Sequence, residues 1–541
     1  MNTRILSSLC LGALCCCAAV AQDKPQPLVQ VKIRSFDALN ANAKQVGSAL
    51  GLSSDWDPGS QLARAIGSPD LAGVDRKRPW QFALAVPALG APPLMALYVP
   101  VTDFEAFKKG LQESSLLGGR DNPNELFQSG EFGVVVFRLG QGGDLSAEDK
   151  QKVTAWASAL DAGKNLIALA VQLDEATRQQ ALQGLGIGRM AVTQGLARQK
   201  RPEGVPFNPE AMAQLMGLYL DGIETVVKGL QRLEVQADLA DQTFAISKTV
   251  QPLPDSELAR WLKADGGGLA NLANHLDAKA MFSMAGALGE KPAFMPLIKK
   301  LFRLSFQMQN QEVDEKLAGQ IDRMMDTLAP MRFVGSGEFG KTFAFSGIYE
   351  FPKAGVKEAY ATFKQFFTDA MPSLTGPNKA YSSSEFKEGF RKVGDISVDR
   401  FSMTMNLDAP MFKMPGQRET LERLWGGGKI EVEYAIKENR LYLANPDKMA
   451  ASLESAQKPP PAAGLGATAN TVFLGRANVL ALIKQMATIN PAIPASVREK
   501  FDRLNTESGD LRFRVDVDGR LSGRAEFPLK LLEAFRQFRS E

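Results

Sequence analysis

Two spacings of apolar residues alternate along this chain, and together they predict strand–helix and hairpin–helix units. Val29, Val31 and Ile33 alternate as a strand, and Ser35 then caps a helix carrying Leu39, Val46 and Leu50. Residues 82–86 and 94–99 read as two more strands. Thr102-Asp103-Phe104-Glu105 has the form of a capping box, with the threonine accepting from an early amide and the glutamate reaching back. The helix it opens is expected to bury Phe104, Phe107 and Leu111. Met212, Leu215, Met216, Tyr219, Ile223, Val226 and Leu230 form a three/four-spaced stripe entered through Asn208-Pro209, which predicts a longer helix.

Hairpins punctuate the pattern. Leu233 to Leu239 alternate, turn at Ala240-Asp241-Gln242 and return through Phe244 and Ile246 toward a helix with Leu258 and Trp261. Leu511 to Val517 alternate, turn at Asp518-Gly519 and return through Leu521, Ala525 and Phe527; Pro528 then opens a helix with Leu532, Phe535 and Phe538. A third unit runs from Ile430 to Ile436, turns near Asn439, returns through Leu441–Leu443 and enters a helix at Asn445-Pro446. The pentapeptide Ser-Gly-Glu-Phe-Gly occurs at 129–133 and again at 336–340. These likenesses predict an α+β fold of antiparallel twisted sheets built from β-hairpins, packed on amphipathic helices, in two related halves. The expected domains are residues 22–265 and 269–541, divided at Asp265-Gly266-Gly267-Gly268, with a subdivision near 459–469. Trp425-Gly426-Gly427-Gly428 is a second glycine triplet, and helix termination accounts for both.

The first 21 residues change the chemical options. Arg4, the apolar run Ile5–Val20 and the small residues before Gln22 read as a secretory signal cleaved after Ala21. All four cysteines (Cys10, Cys15, Cys16, Cys17) lie in it, and none follows the small residue that a lipoprotein site requires. The mature chain of 520 residues is therefore expected to hold no thiol, no disulfide and a single histidine. That excludes cysteine nucleophiles and zinc sites with cysteine or several histidine ligands. No later stretch is a continuous apolar run of the ~18 residues that a membrane span needs. A net charge of +3, or +2 after cleavage, argues against nucleic acid as partner. The expected location is the periplasm or the medium.

Several motifs imitate active sites. Gly335-Ser336-Gly337-Glu338-Phe339-Gly340-Lys341-Thr342 matches the phosphate-loop pattern, but that loop works only when a helix follows, and Phe343–Phe351 reads as a strand. A hairpin is expected instead. His275 is the only histidine base available; Asp277 is too close in sequence for a triad and no Gly-x-Ser-x-Gly is present, so it reads as a surface or helix-end residue. Ser384–Lys387 and Ser455–Lys458 have serine–lysine spacing without the accompanying motifs. Arg514-Val515-Asp516-Val517-Asp518-Gly519 resembles part of a calcium loop but lacks acidic residues at both ends.

Carboxylates are the remaining catalytic resource. Glu431 and Glu433 share a strand face at ~7 Å, within the separation a glycosidase uses, though alternating glutamates on an outer strand face are ordinarily solvated. The five tryptophans (Trp56, Trp80, Trp156, Trp261, Trp425) are scattered. Methionines concentrate in the second half, where Met403 and Met405 share a face with Phe401 and Leu407; the expected role is core packing, with an apolar groove as the other reading.

Val99-Pro100-Val101-Thr102-Asp103-Phe104, Leu253-Pro254-Asp255-Ser256-Glu257-Leu258 and Glu526-Phe527-Pro528-Leu529 resemble segments of large uncharacterised exported bacterial proteins built from repeated strand–helix units. The resemblance implies export and repeat architecture, and brings no catalytic residues. The expected function is a non-catalytic periplasmic or secreted binding or scaffold protein, holding a hydrophobic small molecule or an envelope protein. The alternative is a carboxylate-dependent hydrolase acting on an envelope polymer or glycan. No catalytic, cofactor-binding or metal-ligating residue is assigned, and no cofactor is expected.

Overall fold

Ser35 ends the first strand and starts the first helix, as its type dictates: its hydroxyl accepts from the Ala38 amide at 3.1 Å. The computed structural model describes residues 27–536 apart from 54–55, 66–69, 86–92, 113–124, 139–144, 158–164, 199–208, 264–268, 290–291, 309–312, 330, 341, 353–354, 372–374, 378, 410–411, 413–415, 456–465, 492 and 508. The leader, the four cysteines, Asp265–Gly268, Lys341, Lys458, Met411 and Met414 therefore lie outside the described residues. The fold is α+β, and every registered strand pairing is antiparallel. No helix among the described residues is long and apolar enough to cross a membrane. The chain forms two compact units: Met1–Met190 with Ile223–Ala259 and Glu526–Glu541, and Ala191–Gly222 with Arg260–Ala525.

In chain order the first unit's elements are β1 (Val29–Ile33), α1 (Phe36–Ala49), α2 (Pro58–Ala65), β2 (Trp80–Ala85), β3 (Leu94–Pro100), α3 (Phe104–Gln112), β4 (Glu125–Ser129), β5 (Phe132–Arg138), α4 (Ala147–Trp156) and β6 (Ile167–Gln172). The helices α5 (Glu175–Arg198) and α6 (Pro209–Gly229), each divided between the two units, follow, then β7 (Leu230–Ala240), β8 (Thr243–Pro252) and α7 (Glu257–Trp261). The pairings give the order β4-β5-β3-β2-β1-β6-β7-β8. Even positions of β3 (Leu94, Ala96, Tyr98) pack with Val153 and Trp156 of α4, while odd positions (Leu97, Val99) pack with Phe36, Phe107 and Leu111 from α1 and α3. Helices thus cover both faces of the central strands.

The cap of α3 differs from expectation by one residue. Asp103, not Thr102, accepts the amide of Ala106, at 3.0 Å, and the Gly73 carbonyl takes both the Thr102 and Asp103 amides, so the Thr102 amide is not left for Glu105 to reach back to. The apolar stripe of α6 forms the predicted helix but stays half-buried, and Tyr219 remains 58% exposed.

The second unit contains α8 (Ala270–Ala273), β9 (Phe282–Ala287), α9 (Met295–Met308), α10 (Glu315–Leu328), β10 (Arg332–Phe339), β11 (Phe343–Glu350), α11 (Gly355–Ala370), β12 (Tyr381–Val393) and β13 (Ile396–Met405). It continues with α12 (Gln417–Trp425), β14 (Lys429–Lys437), β15 (Arg440–Ala444), α13 (Met449–Ser455), β16 (Thr471–Asn478), α14 (Val479–Ile489), α15 (Ala495–Asp502) and β17 (Asp510–Val517). After the turn at Asp518-Gly519 comes β18 (Leu521–Pro528), whose last residues, with α16 (Lys530–Arg536), belong to the first unit. The order is β12-β13-β14-β15-β11-β10-β9-β16-β17. As the helix-termination reading requires, α12 stops at Gly426 in the left-handed region.

One face of this sheet is aromatic. Phe401, Val432, Tyr434 and Leu441, with Met403 beside them, pack beneath Phe306, Ile321 and Phe366 of α9–α11, so this part of the methionine stripe is core. Toward β9 and β16 the rings lie over glycines: a Cβ on Gly337 would meet the Phe282 ring at 2.2 Å, and one on Gly286 the Phe333 ring at 2.5 Å. The other face buries Val334, Ile348 and Tyr442 with Leu269, Leu272 and Leu276 near α8 and Met449 and Leu453 of α13, and carries a patch of small residues at Ser283, Ser336, Ala344 and Ser346. The two Ser-Gly-Glu-Phe-Gly copies occupy different places. The first straddles the β4–β5 turn at Gly130, whereas Ser336–Phe339 of the second runs along β10, paired with β11.

Candidate functional site

The small-residue face of the second unit holds a cleft of about 270 Å³. Its floor follows from register. Ser336 of β10 pairs with Ser346 of β11 and Ser283 of β9, and Glu338 pairs with Ala344. With side chains of this size, the sheet dips between the larger residues around it. The Ser283 hydroxyl is fully buried, accepts the Asp277 amide at 3.1 Å and shares a 2.8 Å hydrogen bond with the Ser336 hydroxyl.

Two walls rise from this floor. Asn445 fixes one of them: its side-chain oxygen accepts the Phe345 amide at 2.7 Å, and its own amide donates to the Phe345 carbonyl. That clamp sets the entry to α13, so Lys448, Ala451 and Ser452 line the cleft while Met449 and Leu453 point into the core. The other wall is the segment after α8. Leu272 and Leu276 are buried, which leaves His275, Asp277 and Ala280 on the cleft side.

Two of the three charged side chains at the cleft, Lys448 and Glu338, compensate each other, and Asp277 is the third. Lys448 forms an ion pair with Glu338. That hydrogen bond holds the lysine above its usual proton affinity, and the negative charge of Asp277 adds to the effect. Ser452 lies one helical turn beyond Lys448, but a lysine kept protonated cannot serve as its base. His275 is half-buried rather than on the surface, just past the end of α8. Its Nε2 lies 3.4 Å from Arg440 Nη1, and Arg440 Nε donates to Glu350 at 2.9 Å. Arginine has no acceptor, so Nε2 accepts and the ring hydrogen sits on Nδ1. Nδ1 is buried without a partner among the described residues. The only histidine therefore has its Nε2 lone pair directed at Arg440 and its Nδ1 hydrogen buried, which leaves no free lone pair for base catalysis.

Burial pulls the His275 pKa below its ordinary 6.5; the Arg440 charge lowers it further, and Glu350 offsets part of this. As pH falls through 6.5 the unfolded chain takes up a proton that the folded ring still refuses. Stability associated with His275 is thus full above 6.5 and declines as pH falls toward the folded value. Unfolding free energies of wild type and His275→Asn measured from pH 8 to pH 5 should differ by a constant amount above pH 7. Below 6.5 the wild type should lose its advantage; a constant difference throughout would remove this account.

The remaining sequence candidates are not brought together. Glu433 is fully buried instead of solvated, and Arg391 and Arg400 both hold it, at 2.6 Å and 2.7 Å. Glu431 sits beside Lys429 and Arg400. Ser384 and Lys387 stand three apart on β12, hence on opposite faces, and Lys387 pairs with Glu385. Gly335–Phe339 lead through a turn into β11, a strand where a phosphate loop would need a helix. Asp516 accepts from Thr471 at 2.6 Å and pairs with Arg514, and Asp518-Gly519 is the hairpin turn. No group of three or more His, Cys, Asp or Glu among the described residues could hold a metal. Compared with known proteins, the chain matches no family model, no curated protein and no solved structure.

Proposed function

We propose that this protein is a non-catalytic binding or scaffold protein of the periplasm or medium, and that the cleft between β10–β11, α13 and the His275–Ala280 segment is its small-molecule site. The observation that carries this reading is the pairing of the cleft's ionisable groups. Lys448 is held charged by Glu338, and His275 Nε2 is committed to Arg440. Such a site offers directed donors and acceptors without a nucleophile–base pair. The hydrolase alternative loses its best carboxylate pair, since Glu433 is enclosed by two guanidinium groups.

We further infer that the two units descend from one duplicated ancestor. In the first, β1 lies between β2 and β6, with β3, β5 and β4 beyond β2 and β7 beyond β6. In the second, β9 lies between β10 and β16, with β11, β15 and β14 beyond β10 and β17 beyond β16. The β12–β13 hairpin is then an insertion at the β14 edge. This order supports duplication where the pentapeptide does not.

Native mass spectrometry of protein purified from the periplasm, compared with its denatured mass, tests the binding reading. A reproducible excess mass lost on denaturation supports it. Bare chain alone, across growth conditions, removes stable ligand carriage and leaves the scaffold half.

A further inference from the structure

We propose, resting on the binding reading of the cleft, that its ligand class is a small organic cation, a primary ammonium carried on a hydroxylated body. The side chains at the cleft set the sign. Among the described residues that line it, Asp277 and Glu338 face one ammonium, Lys448, which gives the cleft a net charge of −1. An incoming anion meets two carboxylates, one of them ion-paired with the only lysine. An incoming ammonium neutralises the excess.

Position agrees with sign. Asp277 Oδ1 accepts the Lys279 amide at 2.8 Å, which orients the carboxylate and leaves Oδ2 as an acceptor at the cleft. Glu338 and Lys448 are both part-exposed, at 45% and 39% of their side chains, so a second ammonium can reach the Glu338 carboxylate without breaking the pair. The floor opposite is hydroxyl-bearing, with Ser336 and Ser346 adjacent across β10 and β11. Somewhat more than half of the cleft's small lining is apolar, which is enough for the carbon skeleton of a compact polyol and little for an acyl chain. The volume of about 270 Å³ lies at the lower edge of small-molecule sites.

The single histidine makes the test direct. Protein produced with isotope-labelled histidine and a histidine-free tag gives one imidazole signal, from His275 in the cleft wall. Glucosamine, glucose and acetate are titrated at constant ionic strength. Glucosamine should move the signal saturably, with glucose at least tenfold weaker and acetate without effect. Asp277→Asn, which keeps the Oδ1 acceptor, should weaken glucosamine at least tenfold while the free-state signal keeps its hydrogen on Nδ1. If glucose binds as well as glucosamine, or acetate binds instead, the ammonium assignment is overturned while the binding reading stands. If no probe moves the signal, the cleft as a ligand site falls and the ligand class falls with it.

Discussion

Replacing Glu433 with glutamine should cost about 2–3 kcal/mol, less than the full effect of breaking a buried ion pair from one side because one of the two arginines reaches water. Its side chain is fully buried on β14, and three hydrogen bonds from Arg391, at 2.6–3.2 Å, and two from Arg400, at 2.7 Å and 3.3 Å, meet the carboxylate. Arg391 also donates to the Pro446 carbonyl at 2.7 Å, and the Arg400 guanidinium lies 3.7 Å from the centre of the Phe390 ring. Both arginines are thereby held in place. Removing the negative charge leaves both guanidinium groups aimed at one amide; Arg391, 36% exposed, keeps access to water, and Arg400, 18% exposed, keeps Glu431 as its carboxylate partner, at 3.7 Å. A companion variant separates the cost of breaking the pair from its net worth. With Arg391→Met, Arg400→Met and Glu433→Leu combined, no buried charge is left unpaired, and stability should return to within about 1–2 kcal/mol of wild type. Hydrogen exchange read on β12–β14, with denaturant titration of the same variants, checks both. If the single substitution leaves protection of these strands unchanged, the triad is not what secures them.

The triad also shows where sequence reading stops. Two glutamates at alternate positions of a strand are visible as a pair on one face, and the strand is there. Whether that face is wet depends on β13 and on Arg391 and Arg400, which stand 42 and 33 residues away from Glu433. Local devices were legible because their physics is local. Asp241 and Gln242 both take positive φ in the β7–β8 turn, Gly519 does so in the later hairpin, and Ser35 caps its helix from three residues away. A cap can still slip. Thr102 and Asp103 are both competent caps, and the helix takes Asp103, while the Gly73 carbonyl, distant in sequence, holds both of their amides.

The cleft was illegible for the same reason. Glu338 and Lys448 meet because β10, β11 and the α13 entry are neighbours in the sheet, and His275 owes its tautomer to Arg440, 165 residues on. A partial signal was present. Small residues recur on one face of adjacent strands, at Ser336, Ala344 and Ser346, and Asn445-Pro446 announces a helix start. Only the register puts them together. The pentapeptide was the opposite case, since the same five letters make a turn in one unit and a strand in the other. The neighbours, not the letters, decide which.

Gly73→Ala should be the most damaging single methyl addition in the first unit, costing about 2–5 kcal/mol from positive-φ strain and overpacking together. Gly73 has φ +71°, and a Cβ there would lie 2.1 Å from the Asp103 carbonyl oxygen and 2.8 Å from the Phe107 amide nitrogen. Both are backbone atoms at the start of α3, so no rotamer change relieves them. The helix would have to move away from the Leu71–Val74 turn, and it carries Phe107 and Leu111, each at most 2% exposed, into the core shared with Trp80 and Val135. Gly130→Ala isolates the strain, because Gly130 has φ +57° with nothing within 4 Å of the added methyl; it should cost only about 1 kcal/mol. Denaturant midpoints of the two variants on the same chain give the crowding contribution by difference. A difference near zero would mean that α3 shifts freely, and that its N-terminus is held by the Gly73 carbonyl alone and not by close packing of backbone on backbone.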